Sequence, residues 1–473
     1  MKKNKIILTP ILVLFGGYLL SGCTKWAEDK ANIYNYVAPP PPSSISDSAP
    51  LCGSIKGTML AGKTYTLGCT INVPAGDTLI LQEGVTVNAT INTLNPVGII
   101  VHGTLISLGT QAHPNVLTVP GVTKNNTPGL LLSEDSAHIG LWEGILCDTS
   151  CPLLVLKWTH LDFAGASYNN VDGPAVHDAG QSFNVLFQNP KGSFIMEDSW
   201  VYGGTDDCMR ISNGKIHIFR NTFEKCGGSG GDCVNSKGGT VGTVAYNFFI
   251  GTAYNGQKAS NKGQPVGAPE TNIVMYNSTF VNGGVQIVPG ARAGGIDFEQ
   301  GAEGAFFNNA FINCRVGYRV LNNPVADTAN LTYGNNYQWA DSLVIADEFF
   351  TWGGVCTKPM PTDLPNPATY LPADFYYLNP AENSYDGTPV VQVLNPLFVN
   401  YPLPVVGLPL FSTTAVGSYN FHLQPGSSLI GKGNTNIKPL TVVPIDPVYG
   451  ATEVTPPGVD IGCYQINGTG NQH

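Results

Sequence analysis

The stretch from Gly192 to Ser342 nearly repeats itself, and this repetition constrains the fold more than any other feature of the chain. Five segments align with one another and a sixth is a weaker copy: EDSWV (197–201), RNTFEKC (220–226), YNFFIGT (246–252), NSTFVNG (277–283), NNAFINC (308–314) and NNYQWAD (335–341). A unit of this size, with a short apolar run and a polar turn, cannot bury its apolar side alone, so neighbouring units must stack. The repeats therefore predict a coiled β-sheet, or solenoid.

One aromatic residue of each unit aligns with those of the other units, and these aligned residues are expected to form a ladder inside the solenoid. They are Trp200, Phe223, Phe249, Phe280, Phe311 and Tyr337, separated by 23, 26, 31, 31 and 26 residues. The irregular separations disfavour a β-propeller. The Asn residues that precede most of the aromatics suit turns, because Asn tolerates left-handed backbone angles.

Length, composition and charge agree with this interpretation. A solenoid can grow to 473 residues as one elongated domain, whereas a single ordinary core rarely does. Charged residues make up only 12% of the chain, and the 56 glycines and 35 prolines favour β-structure with many turns. The formal net charge of −10 argues against nucleic acid or an anionic membrane surface as a partner.

The N-terminus resembles a bacterial lipoprotein signal. Three lysines precede the apolar run Ile6–Leu20, and Leu20-Ser21-Gly22-Cys23 follows as a lipobox. The resemblance implies cleavage of a signal peptide (1–22) and lipid modification of Cys23, with palmitate among the acyl chains. The alternative is an uncleaved membrane anchor, for which the apolar run is short.

Residues 23–50 contain the proline run Pro39–Pro42 and are predicted to form an extended tether. The acidic pair Glu28-Asp29 resembles the export signal of surface lipoproteins in the Bacteroidota. We therefore expect an outer-membrane lipoprotein exposed at the cell surface, which contacts the membrane through its N-terminal lipid.

Segments at both ends of the remaining chain resemble bacterial right-handed parallel β-helix proteins of the pectate-lyase-like type. They are Val73–Leu79 with Glu83–Val85, then Gly103–Leu105, Trp142–Ile145, Leu161–Gly165, Phe421–Gly433 and Val459–Tyr464. The resemblance implies an all-β fold, a right-handed parallel β-helix over residues 51–345. A loop excursion and a loop-rich closing segment are expected over 346–473. Such families include polysaccharide lyases, glycoside hydrolases, epimerases and adhesins, so the resemblance specifies the fold more than the activity.

The richest chemistry lies in the first repeats. When the chain is aligned on its cysteines, Thr205–Arg210 matches Gly231–Asn235, which places Asp207 opposite Asp232 and Cys208 opposite Cys233 on adjacent turns. Neighbouring parallel strands are about 4.8 Å apart. Two carboxylates at that separation repel, so one of them is expected to have a raised pKa and to suit a general acid.

The element Asp206-Asp207-Cys208 resembles the paired-aspartate motif of polygalacturonase-type hydrolases. The resemblance implies Asp206, Asp207 and Asp232 as catalytic candidates and Arg210, Lys237 and Lys258 as substrate-binding candidates. The NTD, GHG and RIK elements of that family are absent.

Two alternatives remain open for the same residues. Polysaccharide lyases on this fold use Lys or Arg as a base and carboxylates to hold Ca²⁺, so Asp207 and Asp232 would hold the ion and Lys237 or Lys258 would act as base. If the protein does not have a lyase-like site with Ca²⁺, we expect no cofactor and no metal. In the other alternative the aspartates only cap Gly-rich turns.

The sequence thus predicts a lipid-anchored cell-envelope β-helix that binds, and if active cleaves, polysaccharide on the flank of the helix. The alternative is a non-catalytic surface scaffold or adhesin. Asp297 and Glu299 alternate to one strand face, where they are expected either to extend the acidic stripe along later rungs or to be solvated. Tyr254, Tyr318 and Trp339 are expected to stack on sugars or to enter the interior ladder. Cys52 with Cys69, and Cys147 with Cys151, are the expected local disulfides.

Overall fold

The computed structural model describes residues 43–92, 94–124, 133–168, 181–228, 231–284, 294–314, 317–320, 325–339, 396–401 and 419–473, together with the backbone of 376–377. All of these residues belong to one compact unit, residues 38–473. The lipobox, Cys23 and residues 23–42 of the tether lie outside the described residues, as does most of the predicted loop excursion. Among the described residues, no helix is long and apolar enough to cross a membrane.

The chain coils so that each turn, here called a rung, adds one strand to each of three parallel ladders, here called faces 1, 2 and 3. Strands are numbered in chain order. Face 1 has ten strands: β2 (Gly57–Met59), β4 (Thr78–Leu81), β7 (Thr104–Leu108), β10 (Leu153–Lys157), β13 (Ser193–Glu197), β16 (Lys215–Phe219), β19 (Val241–Ala245), β22 (Asn272–Tyr276), β25 (Glu303–Phe307) and β28 (Leu331–Gly334). Face 2 follows it in each rung: β5 (Thr86–Ala89), β8 (Asn115–Thr118), β11 (Thr159–Asp162), β14 (Trp200–Tyr202), β17 (Thr222–Glu224), β20 (Phe248–Ile250), β23 (Thr279–Val281), β26 (Ala310–Ile312), β29 (Tyr337–Trp339) and β30 (Tyr376–Tyr377). Face 3 completes the rung: β6 (Gly98–Val101), β9 (Gly144–Cys147), β12 (Val185–Phe187), β15 (Met209–Ile211), β18 (Val234–Lys237), β21 (Asn255–Ser260), β24 (Gly294–Glu299) and β27 (Tyr318–Val320).

The first rung and the end of the chain complete the fold. The long strand β3 (Thr64–Val73) pairs with both β5 and β6, so it contributes to faces 2 and 3, and β1 (Leu51–Ser54) pairs with it. A short 3₁₀ helix spans Ser136–His138. Strands β31 (Phe398–Asn400) and β32 (Asn420–Leu423) form a separate antiparallel pair. The predicted fold class, an all-β right-handed parallel β-helix, is confirmed.

An aromatic stack runs through the interior of face 2. The four stacked rings have centroid separations of 4.9, 4.7 and 5.0 Å and belong to Phe223, Phe249, Phe280 and Phe311. Their in-register positions on adjacent strands explain the stacking, because identical rings then lie one strand spacing apart. The interior ladder is therefore confirmed for the central rungs.

The ladder prediction is wrong by one residue at both of its ends. Trp200 is opposite Thr222 and Tyr337 is opposite Ala310, so both aromatics lie on the outward side of face 2. The interior positions belong to the next residues, Val201 and Gln338. Since strand side chains alternate between faces, a one-residue error in alignment reverses the side on which a residue lies.

Polar side chains form a continuous column in the turns between faces 1 and 2. Its members are Ser199, Asn221, Asn247, Ser278, Asn309 and Asn336, all buried. Asn247 Oδ1 accepts hydrogen bonds from Asn221 N (2.9 Å) and Asn221 Nδ2 (3.0 Å), and Asn247 Nδ2 donates to Ile218 O (2.9 Å). The column satisfies backbone groups that the turns would otherwise bury without partners.

The residue before each member of this column has a positive φ. These residues include Asp198, Arg220, Tyr246, Asn277, Asn308 and Asn335, with φ between 48° and 59°. Asn adopts this conformation at low cost, which explains its frequency in the later repeats. Arg220 and Tyr246 adopt it without that advantage, so the stacked rungs impose the turn there.

Residues 432–473, here called the strap, lie along the outside of face 1 and the turns that follow it. The strap is held by hydrogen bonds from several rungs: Asn335 Nδ2 to Lys432 O (3.0 Å), Thr243 Oγ1 to Leu440 O (3.1 Å), Lys157 Nζ to Pro447 O (2.9 Å) and Asn277 Nδ2 to Asp460 O (2.7 Å). The strap therefore connects rungs that are far apart along the solenoid and covers the outward side of face 1.

The cysteines follow the prediction in part. Cys52 and Cys69 form a disulfide that joins β1 to β3. Cys147 and Cys151 are buried free thiols, so the second expected disulfide is not formed. Cys208 lies beside Cys226 and Cys233 in the core, and all three are free thiols as well.

Candidate functional site

One column of face 3 carries charged and amide side chains on five consecutive rungs. The register places them in line: Arg210, Asn235, Lys258, Asp297 and Arg319. The residue before each of them points into the solenoid, so by strand alternation this column points outward. On the preceding rungs the same column is apolar, with Ile100, Leu146 and Leu186 packed against Tyr168 and Phe183.

Asp207 and Asp232 lie on adjacent rungs just before this column, and both act as caps. Asp207 Oδ1 accepts a hydrogen bond from Asp232 N (2.8 Å), and Asp232 Oδ1 accepts from Asn255 Nδ2 (2.6 Å) and Asn255 N (3.3 Å). Asn235 Nδ2 joins the two carboxylates at 2.9 Å and 3.0 Å. Each carboxylate is at most 3% exposed and has amide donors on both oxygens. The two carboxylates therefore join adjacent rungs by hydrogen bonds.

Asp206 and Arg210 lie at the more exposed edge of the group. Arg210 Nε is 2.5 Å from Asp207 Oδ2, its side chain is 22% exposed and its guanidinium lies 4.8 Å from the centre of the Phe183 ring. Asp206 is half-buried; burial raises the pKa of its carboxyl, although the nearby Arg210 opposes the shift. A Cβ on Gly231 would meet the backbone of Asp206, so glycine is needed where the two rungs approach each other.

Lys258 lies among three carboxylates. Its Nζ is 3.0 Å from Glu299 Oε1 and 3.8 Å from both Asp232 Oδ2 and Asp297 Oδ2. Burial opposes the charged form, but the carboxylates raise the pKa of Lys258 above its ordinary value. Arg319 Nη2 donates to Asp297 Oδ2 (2.8 Å). The place that a cation would occupy among these acids is thus held by an ammonium group.

Of the two alternatives for Asp297 and Glu299, solvation is wrong, and both residues extend the group of acids along the later rungs. Asp297 is 0% exposed and Glu299 2% exposed. Burial raises the pKa of Asp297 and Asp232, while Lys258 opposes the shift in both cases. The buried charges extend to Arg319 on β27.

Lys237 differs from the other cations of face 3. It is 9% exposed, and among the described residues no carboxylate lies within ion-pair distance of its Nζ. Burial and the nearby Arg210 lower the pKa of Lys237 to about 8. A largely buried ammonium without a close counter-ion carries a desolvation cost that an anion at the site would offset.

The structure brings together all six predicted site residues, because they fall on the first three rungs of the charged column. Sequence reasoning missed Asn235, Asn255 and Arg319, which complete the network. The sequence carried a signal for Asn235, which lies within the segment aligned on Cys208 and Cys233. The rung of Asn255 has no cysteine, so its register was not available from that alignment. Tyr318 and Trp339 are buried at 6% and 3% exposure, which excludes them as exposed sugar platforms.

A second group of acids lies on the outside of the later rungs of face 1. Carboxylate oxygens of Glu270, Glu303 and Asp327 lie within 4.8 Å of one another. Asn272 Nδ2 donates to Glu303 Oε1 (2.8 Å) and Asn330 Nδ2 to Asp327 Oδ2 (2.7 Å), so amide donors already engage two of the three acids.

The fold and the charged column define this chain as a parallel β-helix protein with a polar, partly buried strip on one face. No family model, no curated protein and no solved structure matches the chain.

Proposed function

We propose that this chain is a lipid-anchored protein of the cell envelope that binds an acidic polysaccharide along face 3. The observation that carries the proposal is Lys237, a largely buried cation that has no carboxylate within ion-pair distance among the described residues. An anionic group of a ligand would supply the missing counter-charge. Uronate carboxylates and sulfate esters are the anions that polysaccharides offer.

Arg210 supports the same ligand class. Its side chain is more exposed than those of Lys258 and Arg319, the other two cations of the charged column, and its guanidinium presents donors in a planar fork suited to carboxylate or sulfate. Arg210 and Asn235 are in register on adjacent strands, and Lys237 follows Asn235 by two residues on the same strand and the same side. An extended acidic chain lying across the rungs would meet Arg210 and Lys237 in succession. Lys258 is engaged with three carboxylates, so we assign it to positioning rather than direct contact.

The sequence supports the cell-surface location in this proposal. The lipobox ending at Cys23, the tether and the acidic pair Glu28-Asp29 support a surface lipoprotein of the Bacteroidota type, and the segments around Val73–Leu79 support a pectate-lyase-like relation. Replacement of Cys23 by Ser tests the anchor. We expect loss of palmitate labelling and release of the protein from the membrane fraction. Unchanged labelling in Cys23→Ser would remove lipidation from the proposal.

Binding is tested by affinity electrophoresis in gels that contain a uronic-acid polysaccharide, a sulfated polysaccharide or a neutral glucan. We expect retardation by one of the acidic polymers and not by the glucan, and a decrease of at least about tenfold in affinity for Lys237→Met and Arg210→Ala. Lys56→Met is the matched control, because Lys56 is an exposed cation of the first rungs that pairs with Asp77. Equal loss in all three variants would indicate a nonspecific charge effect. No retardation of the wild type by any polymer would exclude the proposal.

Cleavage by β-elimination is the second candidate, favoured by the lowered pKa of Lys237. A lysine with a pKa of about 8 is partly deprotonated near neutral pH and suits a base, and the raised pKa of the half-buried Asp206 suits a proton donor. Asp207 and Asp232 are less suited to proton transfer, because amide donors occupy their oxygens. Incubation with uronic-acid polymers should then yield unsaturated products in the wild type and none in Lys237→Met. Binding without any product would favour the non-catalytic scaffold or adhesin.

A further inference from the structure

We propose that Lys258 is the resident cation of the acidic cluster Asp232, Asp297 and Glu299, in place of a divalent metal ion. The proposal predicts different Ca²⁺ binding by the wild type and by a variant that lacks the ammonium group of Lys258. The wild type binds no Ca²⁺ at this cluster, and removal of the ammonium group creates a site that Ca²⁺ can fill. This inference does not depend on the proposed function, because it concerns only how the charges of face 3 are balanced.

The geometry around Lys258 supports the proposal. Oxygens from three different carboxylates converge on its Nζ at 3.0, 3.8 and 3.8 Å. They come from the two rungs that flank the rung of Lys258: Asp232 lies in the turn before β18, and Asp297 and Glu299 are outward residues of β24. Convergence of several carboxylates on one point is the arrangement that hard divalent cations require. Here the point is occupied by the end of a side chain that the same face supplies from β21.

A second observation points to an unfilled coordination position. Asp297 is 0% exposed, and its Oδ1 has no hydrogen-bond partner in the part of the chain that the structure describes, although Oδ2 pairs with Arg319 (2.8 Å) and Lys258 (3.8 Å). A buried carboxylate oxygen without a partner is costly. Ca²⁺ binds oxygens at about 2.3–2.6 Å and tolerates six to eight ligands, so an ion at the position of Lys258 Nζ would draw in both oxygens of Asp297.

The charge balance of the cluster disfavours binding of Ca²⁺ to the wild type. Three carboxylates face two cations, Lys258 and Arg319, which leaves one net negative charge in the cluster. Addition of a divalent cation beside Lys258 would bring like charges within a few ångströms of each other in a buried environment. Lys258→Met removes one positive charge and leaves space for the ion, while the remaining methylenes keep the packing of the stem.

The test compares thermal unfolding of three proteins in chelator and in millimolar CaCl₂. We expect no change in Tm for the wild type, a lowered Tm for Lys258→Met in chelator, and an increase of about 2 °C or more for that variant when Ca²⁺ is added. Lys237→Met is the matched control: it removes a cation of the same face that has no carboxylate of the described ranges at ion-pair distance, and Ca²⁺ should not change its Tm.

A Ca²⁺-dependent increase in the Tm of the wild type would overturn the proposal, as would an unchanged Tm of Lys258→Met in Ca²⁺. If Lys258→Met fails to fold in chelator, refolding in CaCl₂ should recover it, and failure there also counts against the proposal. The double variant Lys258→Met with Glu299→Gln relieves one negative charge. It should therefore fold without metal and show a smaller Ca²⁺-dependent increase than the single variant; an equal or larger increase would contradict the role of Glu299.

Discussion

Asp207 Oδ1 accepts a hydrogen bond from the backbone N–H of Asp232 at 2.8 Å, across the gap between two rungs. The relationship is repeated one rung later, where Asp232 Oδ1 accepts from Asn255 N and Nδ2. Two residues that resemble a catalytic pair are therefore successive members of a capping series. The series ends in an amide, which can serve as a cap but not as an acid or base at neutral pH.

Replacement of Asp207 by Ala should destabilise the protein by about 2–4 kcal/mol, because Asp232 N and Asn235 Nδ2 lose an acceptor and Arg210 loses its counter-ion. Asp207→Asn keeps one acceptor oxygen and should cost less. The half-buried neighbour variant Asp206→Ala is the control and should change the free energy of unfolding by less than about 1 kcal/mol. Urea denaturation measures all three. Equal stability of Asp207→Ala and the wild type would contradict the capping role.

Lys237 should make binding of an acidic polysaccharide dependent on pH. Its pKa of about 8 means that the ammonium is mostly charged near neutral pH and loses its charge as the pH rises through that value. Affinity of the wild type should therefore fall between about pH 7 and pH 9, and Lys237→Met should show a weaker affinity with no such fall. Affinity electrophoresis at several pH values and constant ionic strength is the measurement. A pH dependence that persists in Lys237→Met would assign the effect to another group.

The solenoid and its interior stack could be predicted from sequence because repetition reports on packing directly. Phe223, Phe249, Phe280 and Phe311 recur in one local context, and a recurring buried aromatic has few explanations other than stacking. Trp200 and Tyr337 were misplaced because the end repeats preserve the aromatic but shift it by one residue. Only the register, which is fixed by hydrogen bonds between rungs, reveals the shift.

The candidate site could be predicted only in part. Alignment on Cys208 and Cys233 placed Asp207 opposite Asp232, because a local match between adjacent repeats gives the register there. The partners of Lys258 could not be found in this way. Glu299 and Asp297 lie about forty residues further along the chain, beyond β22 and β23, and the unequal lengths of the repeats hide the register of β24 in the sequence. The strap is a similar case, since no local pattern indicates which rungs residues 432–473 contact.

Asn247 offers a test of the polar column between faces 1 and 2. Asn247→Ala should cost about 2–4 kcal/mol, because Asn221 N loses its acceptor in a buried turn, Ile218 O loses a donor, and Asn221 Nδ2 keeps only Met196 O as an acceptor. Asn272→Ala is the matched control, since that amide is half-buried and bonds to Glu303. Its cost should remain below about 1 kcal/mol. Similar costs for the two variants in urea denaturation would show that the column does not stabilise the fold.

The corrected register predicts different costs for two aromatic replacements. Phe223→Ala removes a fully buried ring from the interior stack and should cost about 3–5 kcal/mol. Trp200→Ala removes a half-buried ring on the outward side, which contacts His160 and His473, and should cost about 1–2 kcal/mol despite the larger side chain. If both aromatics lay in the interior ladder, both replacements would lower the stability by about 3–5 kcal/mol. Thermal unfolding of the two variants therefore distinguishes the two registers.

Glu197 links the strap to face 1 and should make stability depend on acid. The carboxylate accepts from Thr452 N (2.9 Å) and Thr452 Oγ1 (2.6 Å) of the strap and contacts His217 Nε2 at 2.9 Å. Burial opposes ionisation, but these hydrogen bonds and the nearby Arg220 hold the pKa of Glu197 at about 2, below its ordinary value of 4.5. A carboxyl group with a depressed pKa stabilises the folded state fully above its unfolded pKa, and this contribution is lost as the pH falls towards the folded pKa. We therefore expect the wild type to lose about 3 kcal/mol from this group between about pH 5 and pH 2.

The variant Glu197→Gln should be less stable than the wild type near neutral pH and should lose less stability over the same interval. Urea denaturation across that interval measures both proteins, with Glu83→Gln, an exposed carboxyl on the first rungs, as the control. Parallel pH profiles for the wild type and Glu197→Gln would show that the strap is held by other contacts.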